Sequence, residues 1–296
     1  MSDNYDKVSL LLPMNGANNG TVFTDYSSVP KTVTATGAVT STAQFKHYDS
    51  SALFASGNYL TVSNSTDFDF GSGEFCVELW FRSSSETLQH LIDRGDATFF
   101  TPWYLQLRSD GVIRMRAWSS GSSYIFESDS SSSGFNDGNW HHVAFTRSGS
   151  TFRLFVDGVI NATETSASTL GTITESVHIG RNRDGAVQNF AGNMQDIRIT
   201  KGAALYTANF TPPARLIGTI SNAAVGASKI LDINGNPAER TVFAVPRIAP
   251  VRAFSDVSNA SGEFEIQAPA GVDHSVVALA DEAALKNDLI ARVIPV

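Results

Sequence analysis

Short runs in which apolar and polar residues alternate recur along most of the chain. Successive side chains of a strand lie on opposite faces, so each run predicts a half-buried β-strand. Asp-Gly pairs at 110–111, 137–138, 157–158 and 184–185 indicate turns. Only residues 281–288 (DEAALKND) favour a helical turn or two. The pattern predicts an all-β protein with antiparallel strands at FCVELWFR (75–82), WYLQLR (103–108), VIRMRAW (112–118), WHHVAFTR (140–147), FRLFVDG (152–158), VHIG (177–180) and MQDIRIT (194–200).

A break with two prolines divides the chain. Residues 209–213 read Asn-Phe-Thr-Pro-Pro, and prolines end strand pairing and suit a linker. A second, smaller set of strand-like runs follows from about residue 217. We therefore predict one β domain over residues 1–215 and another over residues 216–296.

Two adjacent histidines, followed by an aspartate in a turn, raise the question of a catalytic or metal site. Strand parity places His141 on the side of Val143 and Phe145, and His142 on the opposite face. The two rings therefore point apart and are poorly placed to hold one ion. Asp157 precedes Gly158 in a turn, where Asp-Gly is favoured for backbone reasons alone. The pattern therefore favours a structural role for these residues in a sheet over a catalytic or metal site.

The same parity predicts an outward surface rich in aromatic and arginine side chains. Strands 103–108 and 112–118 form a hairpin whose leucine, isoleucine and methionine side chains face the core. Strand 75–82 adds to the surface if it lies in the same sheet. The predicted binding face is Trp80, Arg82, Tyr104, Gln106, Arg108, Arg114, Arg116 and Trp118.

Three uses of this face fit its composition. Aromatic rings stack on sugars and guanidinium groups bind carboxylates or phosphates, so an acidic surface glycan is one candidate ligand. Tryptophan, tyrosine and arginine also dominate protein interfaces, so a neighbouring subunit is another. The third use is packing beneath loops such as residues 119–136, within which the serine-rich residues 128–133 are predicted to form an exposed loop.

Composition and charge exclude several function classes. The net charge of −8 argues against nucleic acid as a partner, because phosphate binding requires clustered lysine and arginine. No apolar run approaches 18 residues and the N-terminus lacks a signal-peptide pattern, so we predict no membrane insertion. Cys76 is the only cysteine, which excludes an intrachain disulfide.

Motifs of known enzyme classes are missing from the sequence. There is no Gly-x-Ser-x-Gly elbow, phosphate-binding loop or dinucleotide-binding glycine motif. Glycan hydrolysis on a β-sandwich uses paired carboxylates, and Glu78 is alone on its strand. We therefore predict a protein without enzymatic activity.

Four segments resemble a known family. They are VSLLLPMNGANNGTVFTDYSS (8–28), ALFASGNYLTVSNSTDFDFGSGEFCVELWFR (52–82), WHHVAFTRSGSTFRLFVDG (140–158) and GNMQDIRITKGAALYTANFTPP (192–213). Together they resemble the concanavalin A-like, laminin-G-like jelly-roll modules of tailed-bacteriophage structural proteins. The later segments DINGNPAERTVFAV, SGEFEIQAPAG and HSVVALADEA resemble a small transthyretin-like (carboxypeptidase-regulatory-like) domain. The resemblance implies an antiparallel jelly-roll β-sandwich followed by a second, smaller β-sandwich.

The resemblance also implies a place for calcium. Members of the family often carry an aspartate in the first strand and a pair of acids before the "xRI" run. Here those positions hold Asn15 and the pair Gln195-Asp196, and amide oxygens bind calcium without adding charge. The implied ligands are Asn15, Asp25 and Asp196, and the alternative is a hydrogen-bonded strand junction.

The family context implies a virion surface protein made in the host cytoplasm. We expect a decoration or accessory subunit of the head or tail that contacts other virion proteins and forms a homo-oligomer in the virion. The alternative is a tail-fibre or head-fibre adhesin that binds host-surface glycan. A glycan-cleaving enzyme is a third reading, which would need two carboxylates facing each other on the aromatic face.

Overall fold

The structure is a computed structural model that describes residues 2–55, 57–96, 100–119, 124–183, 188–221, 241–246, 253–261, 263–270, 272, 274–278 and 288–293. Strands dominate these residues, and the helical elements among them are two 3-10 turns, Ser2–Lys7 and Thr66–Phe68. The all-β prediction is confirmed. Residues 281–287 of the expected helical turn, and the turn expected at 184–185, lie outside the described residues. No helix in the described part is long and apolar enough to cross a membrane.

The chain forms two compact units. One is Lys7–Ala214, and the other is Met1–Asp6 together with Arg215–Val296. The larger unit contains two antiparallel sheets, with strands numbered here in chain order. Its strands are β1 (Val8–Leu12), β2 (Val33–Thr36), β3 (Val39–Ser41), β4 (Ser51–Phe54), β5 (Tyr59–Val62), β6 (Phe75–Arg82), β7 (Gln89–Arg94), β8 (Trp103–Leu107), β9 (Ile113–Trp118), β10 (Tyr124–Asp129), β11 (Trp140–Ser148), β12 (Thr151–Val156), β13 (Val159–Thr165), β14 (Val177–Ile179) and β15 (Gly192–Lys201).

The two sheets have the crossed strand order of a jelly roll. The eight-stranded sheet runs β13-β12-β11-β6-β15-β4-β3, and β1 also pairs with β15. The seven-stranded sheet runs β10-β9-β8-β7-β14-β5-β2. Each sheet also pairs strands from distant parts of the sequence, as in the β6–β15 and β7–β14 pairs. The jelly-roll sandwich is therefore confirmed.

Both sheets bury one face in a shared apolar core. In β9, Ile113 and Met115 are fully buried, whereas Arg114 and Arg116 are partly exposed. The parity predicted for strands 103–108 and 112–118 is therefore correct. Aromatic side chains fill much of the core, and each buried side chain of this size contributes about 1.5–3 kcal/mol. The largest fully buried aromatic side chains include Trp103, Phe54, Phe68, Phe75, Phe81, Phe145, Phe152 and Phe190.

A segment after β15, residues 203–213, crosses the outer face of the eight-stranded sheet and is called the strap below. The rings of Tyr206 and Phe210 stack with centroids 3.5 Å apart and pack with Phe155. The Phe210 amide donates to the Gly158 carbonyl at 2.9 Å. Gly158 has φ +80°, and a Cβ there would lie 1.9 Å from the Phe210 carbonyl oxygen, so the strap requires glycine at this position.

The smaller unit is also built from antiparallel strands. Its strands are β16 (Ile217–Ser221), β17 (Thr241–Pro246), β18 (Phe254–Val257), β19 (Glu265–Pro269), β20 (His274–Ala278) and β21 (Asp288–Val293). β16 pairs with β19, and the other four form a sheet in the order β18-β17-β20-β21. The transthyretin-like assignment of this unit stays a prediction.

Candidate functional site

Two rows of side chains cross the outer face of the seven-stranded sheet. Residues directly opposite each other in paired antiparallel strands have their side chains on the same face of the sheet. The strand register aligns such residues across β14, β7, β8, β9 and β10. Four of the predicted outward residues of β8 and β9, namely Tyr104, Gln106, Arg114 and Arg116, fall within these rows. One row is His178, Asp93, Tyr104, Arg116 and Glu127, and the other is His90, Gln106, Arg114 and Asp129.

A β-bulge in β7 brings His90 and Asp93 to the same outer face. A regular strand would place residues three apart on opposite faces. The register shifts between His90 and Ile92, and both Leu91 and Ile92 are buried in the core. The run QHLIDR does not alternate, so strand parity assigns neither His90 nor Asp93 to the outer face, and the predicted face lacks both.

Buried hydrogen-bonding groups form the floor of this face. His90, Asp93 and Gln106 are at most 4% exposed. His90 Nδ1 lies 3.0 Å from Asp93 Oδ2, and His90 Nε2 lies 2.8 Å from the amide nitrogen of Gln106. Since that amide nitrogen can only donate, His90 Nε2 accepts, and the ring proton of a neutral imidazole lies on Nδ1, toward Asp93.

Aromatic rings surround the guanidinium group of Arg116. Its central carbon lies 4.9 Å from the ring centroid of Tyr104, 5.3 Å from that of Trp118 and 5.2 Å from that of Tyr124. These distances are within the range of cation–π attraction. Arg116 also donates from Nε to Glu127 Oε2 at 2.8 Å. The arginine therefore holds the rings of three strands in place.

Carboxylates of β10 neutralise the other outward arginines. Arg114 lies 2.5 Å from Glu127 and 2.6 Å from Asp129, and Arg108 lies 2.7 Å from Asp129. Burial alone would raise the pKa of Glu127, but the Tyr124 hydrogen bond and the arginine charges lower it below its ordinary value. The hydrogen bond from Arg114 is the main cause that lowers the pKa of Asp129. Both groups are thus ionised near neutral pH.

The charges on this part of the surface balance. Arg108, Arg114 and Arg116 are matched by Glu127, Asp129 and Asp110, which lies 3.3 Å from Arg108. The expectation that these guanidinium groups suit an acidic glycan therefore needs correction. The sequence predicts that Glu127 and Asp129 lie in or beside a loop, whereas the structure places both, together with Ser128, in strand β10.

A cleft of about 440 Å³ opens on this outer face. Five of the eight residues of the predicted binding face line it, and Arg108 is not among the lining residues. The lining combines aromatic rings with groups that donate and accept hydrogen bonds. It consists of Leu88, His90, Asp93, Thr101, Tyr104, Gln106, Arg114, Arg116, Trp118, Asn182, Arg183 and Gln188.

The family of the chain follows from a match over much of the jelly-roll unit. The Laminin_G_3 model of the concanavalin A-like lectin/glucanases superfamily matches residues 54–205, just over half of the chain. The chain belongs to this superfamily. No curated protein sequence matches the chain.

Solved structures agree with this superfamily fold. The binding domain of Paraclostridial Mosquitocidal Protein 1 aligns with a TM-score of 0.56 and 14% identity, covering 97% of this chain and 73% of that chain. The botulinum neurotoxin serotype D binding domain aligns with a TM-score of 0.54 and 14% identity, covering 95% and 74%. At this identity the likeness concerns the fold.

Two residues of the predicted face lie on the other sheet of this concanavalin A-like domain. Trp80 and Arg82 belong to β6 in the eight-stranded sheet, so they cannot share the cleft surface. Trp80 is 7% exposed and lies under Lys46, whose Nζ is 4.5 Å from its ring centroid. Alternation predicts the parity of a strand but not its sheet, and Trp80 is a packing residue.

The adjacent histidines point apart, as their parity predicts. His142 lies on the outer face with its Nε2 3.0 Å from Glu78, and His141 lies between Asp137 and Asp157. Burial would raise the pKa of Glu78, but the Arg198 charge and the His142 hydrogen bond lower it to about 2. Both histidines are therefore structural residues of β11 in the eight-stranded sheet.

The three implied calcium ligands have different surroundings. Asp25 accepts hydrogen bonds from Leu11 N, Ser27 N, Ser27 Oγ and Lys31 N at 2.7–2.9 Å, which fixes a strand junction. Asp196 accepts from Tyr48 Oη at 2.8 Å, and Asn15 is partly exposed. In the described part of the chain, no group of three or more His, Cys, Asp or Glu side chains could hold a metal ion. Calcium binding stays a prediction.

Proposed function

We propose that the chain is a non-enzymatic binding module that takes a carbohydrate in the cleft. The observation that carries the proposal is the outer-sheet surface on which Tyr104 and Trp118 lie beside Asp93, His90 and Gln106. Aromatic rings stack on the apolar face of a sugar, and neighbouring carboxylate, imidazole and amide groups bind its hydroxyls. Ligand pockets commonly combine apolar walls with a few fixed polar groups.

The carboxylates of the described residues support binding without cleavage. Glycoside hydrolysis generally needs two carboxyl groups on either side of the scissile bond. Asp93 is the one carboxylic acid among the described residues that line the cleft. Glu127, at its edge, already pairs with Arg114 and Arg116, and Glu78 is buried on the other sheet.

We further propose a virion as the setting of this module. The support is the resemblance of residues 8–213 to jelly-roll modules of tailed-phage structural proteins. In that setting the cleft serves host attachment, as in the fibre-adhesin alternative, while another surface of the chain contacts virion subunits as a decoration protein does. The two roles are compatible in one chain.

The test is binding of the full chain to a glycan array and, in parallel, to virions that lack this protein. Trp118→Ala removes a ring from the cleft, whereas Trp140→Ala removes one from the other sheet and serves as the matched control. We expect glycan binding by the unmodified chain and by Trp140→Ala, with loss in Trp118→Ala at an unchanged melting temperature.

The outcomes separate the two roles. Glycan binding that survives high salt and depends on Trp118 supports the carbohydrate module. Binding to virions alone, unaffected by Trp118→Ala, would overturn the carbohydrate proposal and leave a structural subunit. Failure to bind virions would overturn the virion setting.

A further inference from the structure

One carboxylate oxygen in the floor of the cleft lacks a donor. Asp93 is 1% exposed, and its Oδ2 lies beside His90. Among the described residues, no group donates a hydrogen bond to Asp93 Oδ1. A buried acceptor without a donor is unfavourable, so such an oxygen suits a bound ligand that supplies a donor.

A glycine lets the Asp93 carboxylate and the Thr101 hydroxyl lie close to the backbone at position 95. A Cβ on Gly95 would lie 2.7 Å from Asp93 Oδ1 and 2.8 Å from Thr101 Oγ1, too close for either atom to keep its place. Gly95 does not have the positive φ that excludes other residues, so its backbone does not require glycine. A side chain at position 95 would therefore displace Asp93 or Thr101, both of which line the cleft.

The charges around the cleft disfavour an anionic ligand. Arg114 and Arg116 are paired with Glu127 and Asp129, and Arg183 lies 3.3 Å from Glu175. A sugar carboxylate or phosphate would have to compete with these acids and would also meet Asp93. A neutral hydroxyl meets no such repulsion and supplies the donor that Asp93 Oδ1 lacks.

We infer, building on the proposed carbohydrate function, that the cleft selects a neutral sugar, one hydroxyl of which donates to Asp93 Oδ1. His90 Nδ1 lies 3.0 Å from Oδ2 and occupies that side of the carboxylate, so Oδ1 is left for the ligand. Gln106 fixes His90 in turn. Asp93 is therefore a specificity-determining residue of the site.

The experiment compares matched neutral and anionic glycans on the full chain. The probes are lactose-type oligosaccharides and neutral pentose and hexose oligomers, each beside a sialylated or uronic-acid counterpart. Gly95→Ala adds a methyl group that would displace Asp93 Oδ1 or Thr101 Oγ1, and Asp93→Asn keeps the shape but removes the charge. Gly73→Ala is the control, because Gly73 also lacks a positive φ and lies outside the cleft lining.

We expect a preference for the neutral probes and little dependence on salt. Gly95→Ala should weaken binding by about tenfold or more, and Asp93→Asn by several-fold, because each removes or blocks a charge-assisted hydrogen bond. Gly73→Ala should bind as the unmodified chain does. Melting temperatures of all variants establish that each is folded.

Each other outcome overturns a different statement. Neutral-glycan binding that both variants retain would remove Asp93 from the site while the carbohydrate function stands. A preference for sialylated or uronic-acid probes would overturn the selection of a neutral sugar. Absence of binding to every probe would overturn the proposed carbohydrate function itself, and the inference with it.

Discussion

The side chain of Gln195 uses both ends of its amide to hold the loop before β4. Its Oε1 accepts from the amides of Lys46 and His47 at 2.9 and 2.7 Å. Its Nε2 donates to the carbonyls of His47 and Ser50. A carboxylate can only accept, so the glutamine at this position has a structural reason independent of any metal.

Gln195→Glu should therefore destabilise the protein. Two buried carbonyls would lose their donor, and an added negative charge would lie in the interior, for an expected cost of about 2–4 kcal/mol in the free energy of unfolding. Urea unfolding measures the change. Gln44→Glu, on an exposed side chain of the same loop, should have almost no effect. Equal stability of the two variants would contradict the role given to Gln195.

His141 is placed to make stability depend on pH. Burial lowers its pKa, but the hydrogen bonds and charges of Asp157 and Asp137 outweigh burial and raise the pKa above the ordinary 6.5. The pKa of Asp137 falls to about 2 and that of Asp157 also falls. The histidine contribution is full below its unfolded pKa and is lost as pH rises through the raised value, whereas the aspartate contributions are lost on acidification.

His141→Gln should thus cost most stability between about pH 4 and pH 6.5. At about pH 9 the gap between the variant and the unmodified chain should narrow, because the histidine loses its charge as pH rises through its raised pKa. Urea unfolding at about pH 5.5 and pH 9 measures both gaps. A gap that stays constant or widens at the higher pH would show that the ion pairs contribute nothing.

At the level of elements, β10 sets the charge of the face that β9 presents. Glu127→Gln combined with Asp129→Asn would leave Arg108, Arg114 and Arg116 without their main partners. We expect this variant to gain affinity for sialylated or uronic-acid glycans, with a dependence on salt that the unmodified chain lacks. Its stability should change little, since partly exposed ion pairs contribute about 0–1 kcal/mol each. Unchanged glycan preference would argue against β10 as the neutralising element.

Strand regularity explains what the sequence could and could not predict. β8 and β9 form a regular hairpin, so alternation placed Tyr104, Gln106, Arg114 and Arg116 correctly on the outer face. In β7 the bulge interrupts alternation, and Asp93 could not be found by parity. Sheet membership depends on long-range pairing, which local pattern does not encode. For that reason parity alone places Trp80 and Arg82 on the wrong surface.

At the scale of the whole molecule, the buried aromatic and aliphatic residues of the jelly-roll core all lie within the larger unit. We therefore expect residues 7–214 to fold without the remainder of the chain and to keep the glycan binding of the full chain. Circular dichroism, thermal unfolding and the glycan array provide the comparison. Aggregation or loss of the β-sheet spectrum would contradict the predicted domain division near residue 215.

The strap has a mechanical consequence. Tension applied to the chain beyond residue 214 acts on the strap before it acts on β15. Tyr206 Oη donates a hydrogen bond to Glu78 at 2.9 Å, and Thr146 Oγ1 donates one to the Tyr206 carbonyl at 3.1 Å. The Phe210 amide donates a hydrogen bond to the Gly158 carbonyl. These attachments lie on several strands, so tension is shared across the sheet. We therefore expect the strap to bear tension applied beyond residue 214 before β15 is pulled from its sheet.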